Sequence, residues 1–177
     1  SRLVKLTDFT SFARQLFGPG GPEIRPMIRG DLDEVLRIIR LHDSDDYRAA
    51  KRSFAHVDWD ADPVAGQHFV LIDDAEDRVV GVCGYYIDDL EAQGIYWLGW
   101  TYVNPFFRGK GHGARLLHLV MRTVKRFGAR KLYLSTSDLP EFEAAVSFYR
   151  KYGFQEEGRF LDYYCDGESK IVMAVAV

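Results

Sequence analysis

The sequence is poor in cysteine, with only Cys83 and Cys165 among its 177 residues. Two thiols are too few for a disulfide-stabilised secreted scaffold, and Cys83 lies inside an apolar, strand-like run. The first residues also lack the apolar segment of a secretory signal peptide. We therefore expect two free thiols in a cytoplasmic protein.

An excess of positive charge is missing as well. The 23 Lys and Arg residues are outnumbered by 26 Asp and Glu, which gives a net charge of −3. Proteins that bind a nucleic-acid backbone are usually basic, so we expect no DNA or RNA partner. The apolar run at residues 171–177 is too short to cross a bilayer and suits a buried strand, so no membrane partner is expected.

Metal-ligand patterns are absent from the sequence too. His42, His56 and His68 follow no ligand spacing, and we expect them at the surface or at helix ends. The acidic stretch 58–63 begins like a calcium loop, but Pro63 replaces the required glycine. The sequence therefore predicts no metal site.

Periodicity divides the chain into an N-terminal extension, residues 1–22, and one domain, residues 23–177. Apolar patterns in the domain predict the order β-α-α-β-β-β-α-β-α-β-β. This order predicts an α/β (α+β) fold with a mixed, mostly antiparallel sheet of about seven strands and about four flanking helices. Pro26 requires an edge position for the first strand, and Asp31 is expected to cap the first helix.

Three glycines within five residues, Gly109, Gly111 and Gly113, separate a predicted strand from a predicted helix. Glycine lets backbone N–H groups approach a ligand closely, and a helix N-terminus favours phosphate. The turn is not a P-loop, because Lys110 precedes Gly111 and no Ser or Thr follows. A different phosphate-bearing ligand is therefore indicated.

A dinucleotide site is the minority alternative, because Gly109, Gly111 and Ala114 spell G-x-G-x-x-A. That fold places its first glycine directly at the strand end, whereas Asn104 and Pro105 end this strand earlier. A simple connecting turn is the second alternative. It explains neither the three glycines nor the cationic residues between them.

The stretch "RGKGHG" at 108–113 matches the R/Q-x-x-G-x-G/A pattern of the GNAT superfamily of acyl-CoA-dependent N-acetyltransferases, which the chain resembles. "IRPMIRGDLDEVLRII" resembles the family's opening strand and helix, and "AAVSFYRKYGF" resembles a later helix. The resemblance implies a sheet whose parallel pair splays apart. It also implies acetyl-CoA as co-substrate, no metal, and a small-molecule or peptide amine as acceptor.

The resemblance further implies roles for individual residues. The pantetheine arm would pair with the backbone of Thr101–Val103, and the Val103 N–H would donate to the thioester oxygen. Tyr149 would protonate the departing thiolate, although it also lies on the apolar stripe of its helix, so a packing role is the alternative. His112 would contribute its backbone. The implied cofactor-binding set is Thr101, Tyr102, Val103, Arg108, Gly109, Lys110, Gly111, His112, Gly113, Ala114 and Tyr149.

Two positions depart from the family pattern. Phe142 stands where the family often has Asn, so one polar cofactor contact is absent or supplied differently. The run "IYWLGWTYV" lacks the acidic residue that many relatives use as the base. We therefore expect a water relay to Tyr96, Tyr102 or a loop carboxylate.

The acceptor and the oligomeric state remain open at this point. The acidic stretch 42–47 is expected to cap a helix, and such groups beside the slot would attract a cationic amine. A non-catalytic acyl-CoA sensor of the same fold is the alternative to an enzyme. A homodimer and a monomer are both compatible with the sequence.

Overall fold

The computed structural model describes residues 21–177, so nearly all of the predicted extension, including its helix, lies outside the described residues. The helices are α1 (Leu32–His42), α2 (Ser44–Ala55), α3 (His112–Arg126) and α4 (Glu143–Lys151). The strands are β1 (Glu23–Pro26), β2 (Gly66–Asp73), β3 (Arg78–Tyr86), β4 (Ile95–Leu98), β5 (Tyr102–Val103), β6 (Lys131–Ser137), β7 (Gln155–Cys165) and β8 (Glu168–Ala176).

The strands form one sheet in the order β1-β2-β3-β4-β6-β8-β7, with β5 paired to β3 beyond the end of β4. All of the pairings are antiparallel except β4 with β6. This architecture confirms the mixed, mostly antiparallel α+β fold with one parallel pair and four helices. The strand count rises from about seven to eight because the predicted strand 95–103 is interrupted.

The sheet is covered on both faces, as its alternating side chains require. Val82 of β3 packs in a cluster with α1 and α2, which includes Ile38 and Phe54. The next residue, Cys83, belongs to a cluster on the opposite face, where Leu117 of α3 is also fully buried. The chain therefore folds as a three-layer domain, with α1 and α2 on one face and α3 and α4 on the other.

The first strand and its turn confirm one expectation and correct another. Pro26 lies in β1, an edge strand, where its missing N–H does no harm. Asp31 precedes α1 but its side chain makes no capping bond to that helix. Its carboxylate instead accepts from the Ile28 N–H at 2.9 Å and from both terminal nitrogens of Arg25. The predicted cap is therefore wrong, because a partly buried ion pair with Arg25 and the Ile28 N–H occupy the carboxylate.

Candidate functional site

A gap opens in the middle of the sheet where β4 and β6 separate. The two strands pair only from Ile95 to Trp97 with Lys131 to Tyr133. β6 then continues to Ser137 beside β8, whereas the chain after β4 turns toward β3 and pairs with it as β5. Within residues 21–177, the facing edges of β5 and of the second half of β6 have no strand between them.

His68 holds the irregular backbone that produces this gap. The N–H of Trp100, between β4 and β5, donates to His68 Nε2 at 3.1 Å in place of a strand partner. The ring fits because two neighbouring residues are glycines: a Cβ on Gly84 or Gly99 would lie 2.3 or 2.6 Å from it. Burial lowers the pKa of His68 to about 4, so Nε2 keeps its lone pair. The predicted surface or capping role of His68 is therefore wrong.

The glycine turn lies at the end of β5 and leads directly into α3. Gly109 and Gly111 have φ of +79° and +76°, the left-handed region that favours glycine. A Cβ on Gly109 would enter open space, and one on Gly111 would meet only the end of the Arg115 side chain, at 3.9 Å. The first helical bond runs from Arg115 N–H to the Gly111 carbonyl, so the N–H groups of residues 112–114 lack helical acceptors. The first turn of α3 contains no acidic residue. These features form a cradle for an anion.

Gly113 and His112 face the interior rather than this cradle. A Cβ on Gly113 would point toward the Phe148 ring at 3.5 Å and toward Val103. His112 is 6% exposed, and its Nε2 has no hydrogen-bond partner. Burial lowers its pKa, and the cations Arg115 and Lys110 act in the same direction. Both residues can therefore offer only their backbone to a ligand at the turn.

Tyr149 of α4 lies beside the gap, and its hydroxyl contacts Thr101, the residue before β5. The hydroxyl hydrogen-bonds to Thr101, whose Oγ1 also lies 3.3 Å from the buried Cys83 sulfur. Burial raises the pKa of Tyr149 above the ordinary range of tyrosine. The phenol therefore keeps its proton at neutral pH, as a proton donor must. Its ring also packs on Phe148 and Phe154, so both predicted roles have a structural basis.

Val103 presents its peptide groups to the same gap. The N–H of Asn104 donates to the Val80 carbonyl of β3 at 2.7 Å. Since neighbouring residues in a strand direct their backbone groups to opposite edges, the N–H and C=O of Val103 face away from β3. The open edge of β5 therefore offers the backbone donor that the sequence predicts.

A family model matches the part of the sequence that forms this arrangement. The model of the Acetyltransferase (GNAT) family matches residues 34–154, which is more than half of the chain and spans α1 to the start of β7. The chain belongs to the GNAT acetyltransferase family. The matched segment contains the gap, the glycine turn and Tyr149.

Solved structures share the GNAT fold with this chain at low sequence identity. A protein of Desulfovibrio desulfuricans assigned to the GNAT family is 22% identical, with a TM-score of 0.74 over 88% of this chain and 99% of that one. The ribosomal-protein-S18-alanine N-acetyltransferase of Escherichia coli is 19% identical, with a TM-score of 0.69 over 89% and 94%. An aminoglycoside 6'-N-acetyltransferase complexed with coenzyme A is 17% identical, with a TM-score of 0.68 over 86% and 96%. The comparison with curated protein sequences finds no match.

Acidic and phenolic groups meet where β5 faces α2, a part of the gap that we call its acidic mouth. The Tyr102 hydroxyl donates to Asp46 of α2, which lies in the acidic stretch 42–47. Burial raises the pKa of Asp46, its bond to Tyr102 opposes this, and the charges of Asp43, Asp45 and Glu168 raise it further. The predicted helix cap is also present, because the Asp43 side chain accepts from the Asp46 N–H at 2.8 Å.

The two tyrosines named as relay candidates each donate a hydrogen bond to a defined partner. Tyr102 donates to Asp46, which lies on helix α2, so Asp46 is not the loop carboxylate expected from the sequence. The Tyr96 hydroxyl donates to the Val64 carbonyl at 2.9 Å. A further group escaped prediction: His42 Nε2 lies 2.7 Å from the Val103 carbonyl, 61 residues away in sequence.

In residues 21–177, no group of three or more His, Cys, Asp or Glu side chains is placed to hold a metal. No helix in the same range has the length and apolarity needed to cross a membrane.

Proposed function

We propose that this protein transfers the acetyl group of acetyl-CoA to a primary amine by direct attack of the amine on the thioester. The gap between β5 and β6 carries the proposal, because it exposes a backbone edge, an anion cradle and a protonated phenol together. Arg108 and Lys110 beside the cradle supply charge for the phosphates. The residues present therefore fit acetyl-CoA.

Each group has a defined task in the proposed reaction. The backbone N–H groups of residues 109–114 bind the pyrophosphate, and the edge of Thr101–Val103 pairs with the pantetheine arm. The Val103 N–H stabilises negative charge on the thioester oxygen. Tyr149 donates its proton to the sulfur as the C–S bond breaks.

The acceptor site is proposed at the acidic mouth of the gap. Asp46 is half-buried, and no Lys or Arg among residues 21–177 forms an ion pair with it. A carboxylate in this setting favours a cationic partner. We propose that Asp46 and Tyr102 hold the ammonium form of the acceptor, in a molecule with further positive charge.

Two measurements test the proposed activity directly. Acetyl-CoA should raise the melting temperature of the protein, whereas NAD should not. Thiol release should then be measured with spermidine, kanamycin, lysine amide and a tripeptide beginning with alanine. Stabilisation by NAD alone would contradict the proposed cofactor. Stabilisation by acetyl-CoA without thiol release from any amine would favour the sensor alternative.

Asp46→Asn should raise KM for a cationic acceptor by roughly tenfold, because one charged contact contributes about 1.5 kcal/mol. The affinity for acetyl-CoA, measured by calorimetry, should stay unchanged. Asp45→Asn is the matched control, since it removes the same charge from the neighbouring, exposed position. Equal KM values for both variants would remove Asp46 from the acceptor site.

A further inference from the structure

We propose that His42 accepts the proton of the acceptor ammonium group in this reaction. His42 is the last residue of α1, and its imidazole reaches the edge of β5 that faces the gap. The inference rests on the proposed acetyl transfer, because it names the residue that makes the amine nucleophilic.

The contact with Val103 fixes which ring nitrogen carries the proton. A carbonyl oxygen only accepts hydrogen bonds, so His42 Nε2, 2.7 Å from it, must be the protonated nitrogen. In the neutral ring Nδ1 then holds the free lone pair. The carbonyl has two lone pairs, so this bond leaves one for the pantetheine arm.

The ring is also held in position by an aromatic contact. Its centroid lies 5.0 Å from that of Tyr102, at an interplanar angle of 49°. The Tyr102 hydroxyl in turn binds Asp46. His42 therefore lies between the proposed ammonium site and the backbone edge at which the thioester is expected.

Other groups near the gap are poorly suited to accept this proton. Burial raises the pKa of the Cys83 thiol to about 12. Burial and the charge of Asp46 raise the pKa of Tyr102, so its phenol stays protonated. Imidazole is the side chain that accepts protons most readily near neutral pH. The side chain of His42 is exposed, so its proton can pass to water.

The proton and electron balance is complete without another reagent. The ammonium gives one proton to His42 Nδ1, and the freed nitrogen lone pair forms the C–N bond. The C–S bond electrons leave with sulfur, which takes the Tyr149 proton. The second proton of the attacking nitrogen passes to water and restores the phenol through solvent. The titratable groups around His42 are Tyr102 on β5, Asp43 between α1 and α2, Asp46 on α2 and, through Asp46, Glu168 on β8.

His42→Gln is the decisive variant because its amide can still donate to the Val103 carbonyl. At about pH 7, kcat should fall roughly tenfold or more with the best amine of the four named above. The loss should shrink at about pH 9.5, where more of the amine is already neutral. Free imidazole should restore part of the rate in His42→Ala. His56→Gln, at an exposed position after α2, is the matched control and should match wild type.

Long-range nitrogen–proton NMR correlations supply a test that needs no acceptor. They should show the neutral His42 ring with its proton on Nε2. A proton on Nδ1 would overturn the proposal, and so would wild-type kcat in His42→Gln. If the wild-type protein released no thiol with any of the four amines, the proposed acetyl transfer would be contradicted. The tautomer would then still show whether the Nδ1 lone pair of His42 is available to accept a proton.

Discussion

Tyr149→Phe should lower kcat by roughly 10²-fold, the usual scale for a positioned proton donor. The substitution keeps the ring, which packs on Phe148 and Phe154, and removes only the hydroxyl. The lost bond to Thr101 should cost about 1 kcal/mol of folding free energy. The measurement is single-turnover acetyl transfer, in which product release does not limit the rate.

Tyr152→Phe provides the matched control for this prediction. Tyr152 follows three residues later and is also half-buried, with its ring against Phe148 and His118. It should keep the wild-type rate. Burial raises the pKa of Tyr149 above the ordinary range of tyrosine. Ionisation of this residue should therefore cause no fall in rate near pH 10. An unchanged single-turnover rate in Tyr149→Phe would leave the residue a packing role only.

Gly111→Val should weaken acetyl-CoA binding by roughly 10²-fold, or about 2.7 kcal/mol, while the protein stays folded. A Cβ at Gly111 meets only the end of the Arg115 side chain, at 3.9 Å, and otherwise projects into the open space of the cradle. The added side chain should therefore block the phosphates and not the protein interior. Calorimetric titration with acetyl-CoA measures the effect.

Gly128→Val separates this blocking effect from backbone strain. Gly128 follows α3 at its other end, with φ of +87° and open space at its Cβ position. Both variants should lose a similar free energy of unfolding, because valine is equally disfavoured at a positive φ. Only Gly111→Val should lose affinity. Equal affinities in the two variants would exclude the glycine turn as the phosphate site.

The sequence was most informative at positions where one physical property explains the choice of residue. Gly109 and Gly111 were predicted to form a phosphate turn because glycine adopts the left-handed conformation without penalty, and both have it. The interruption of the strand at 95–103 was missed, although Gly99 inside an apolar run is a recognised signal of a bulge. The glycine motif therefore predicted the backbone conformation of this turn correctly.

The proposed acceptor side of the gap could not be predicted in the same way. Asp46 meets Tyr102 across 56 residues, His42 meets Val103 across 61, and His68 meets Trp100 across 32. These contacts depend on how α1 and α2 lie on the sheet and on a ring that fits over Gly84 and Gly99. Short-range patterns carry no information about such distances, so the histidines resembled ordinary surface residues.

The short parallel contact between β4 and β6 joins the two sides of the sheet that carry the proposed reaction centre. Three residue pairs join the sheet at this seam, and the rings of Trp97 and Tyr133 contact each other across it with centroids 5.2 Å apart. The cradle belongs to one side and Tyr149 to the other. In the proposed reaction, the alignment of donor and acceptor groups depends in part on this seam, so substitutions at Trp97 or Tyr133 can alter turnover without touching either substrate.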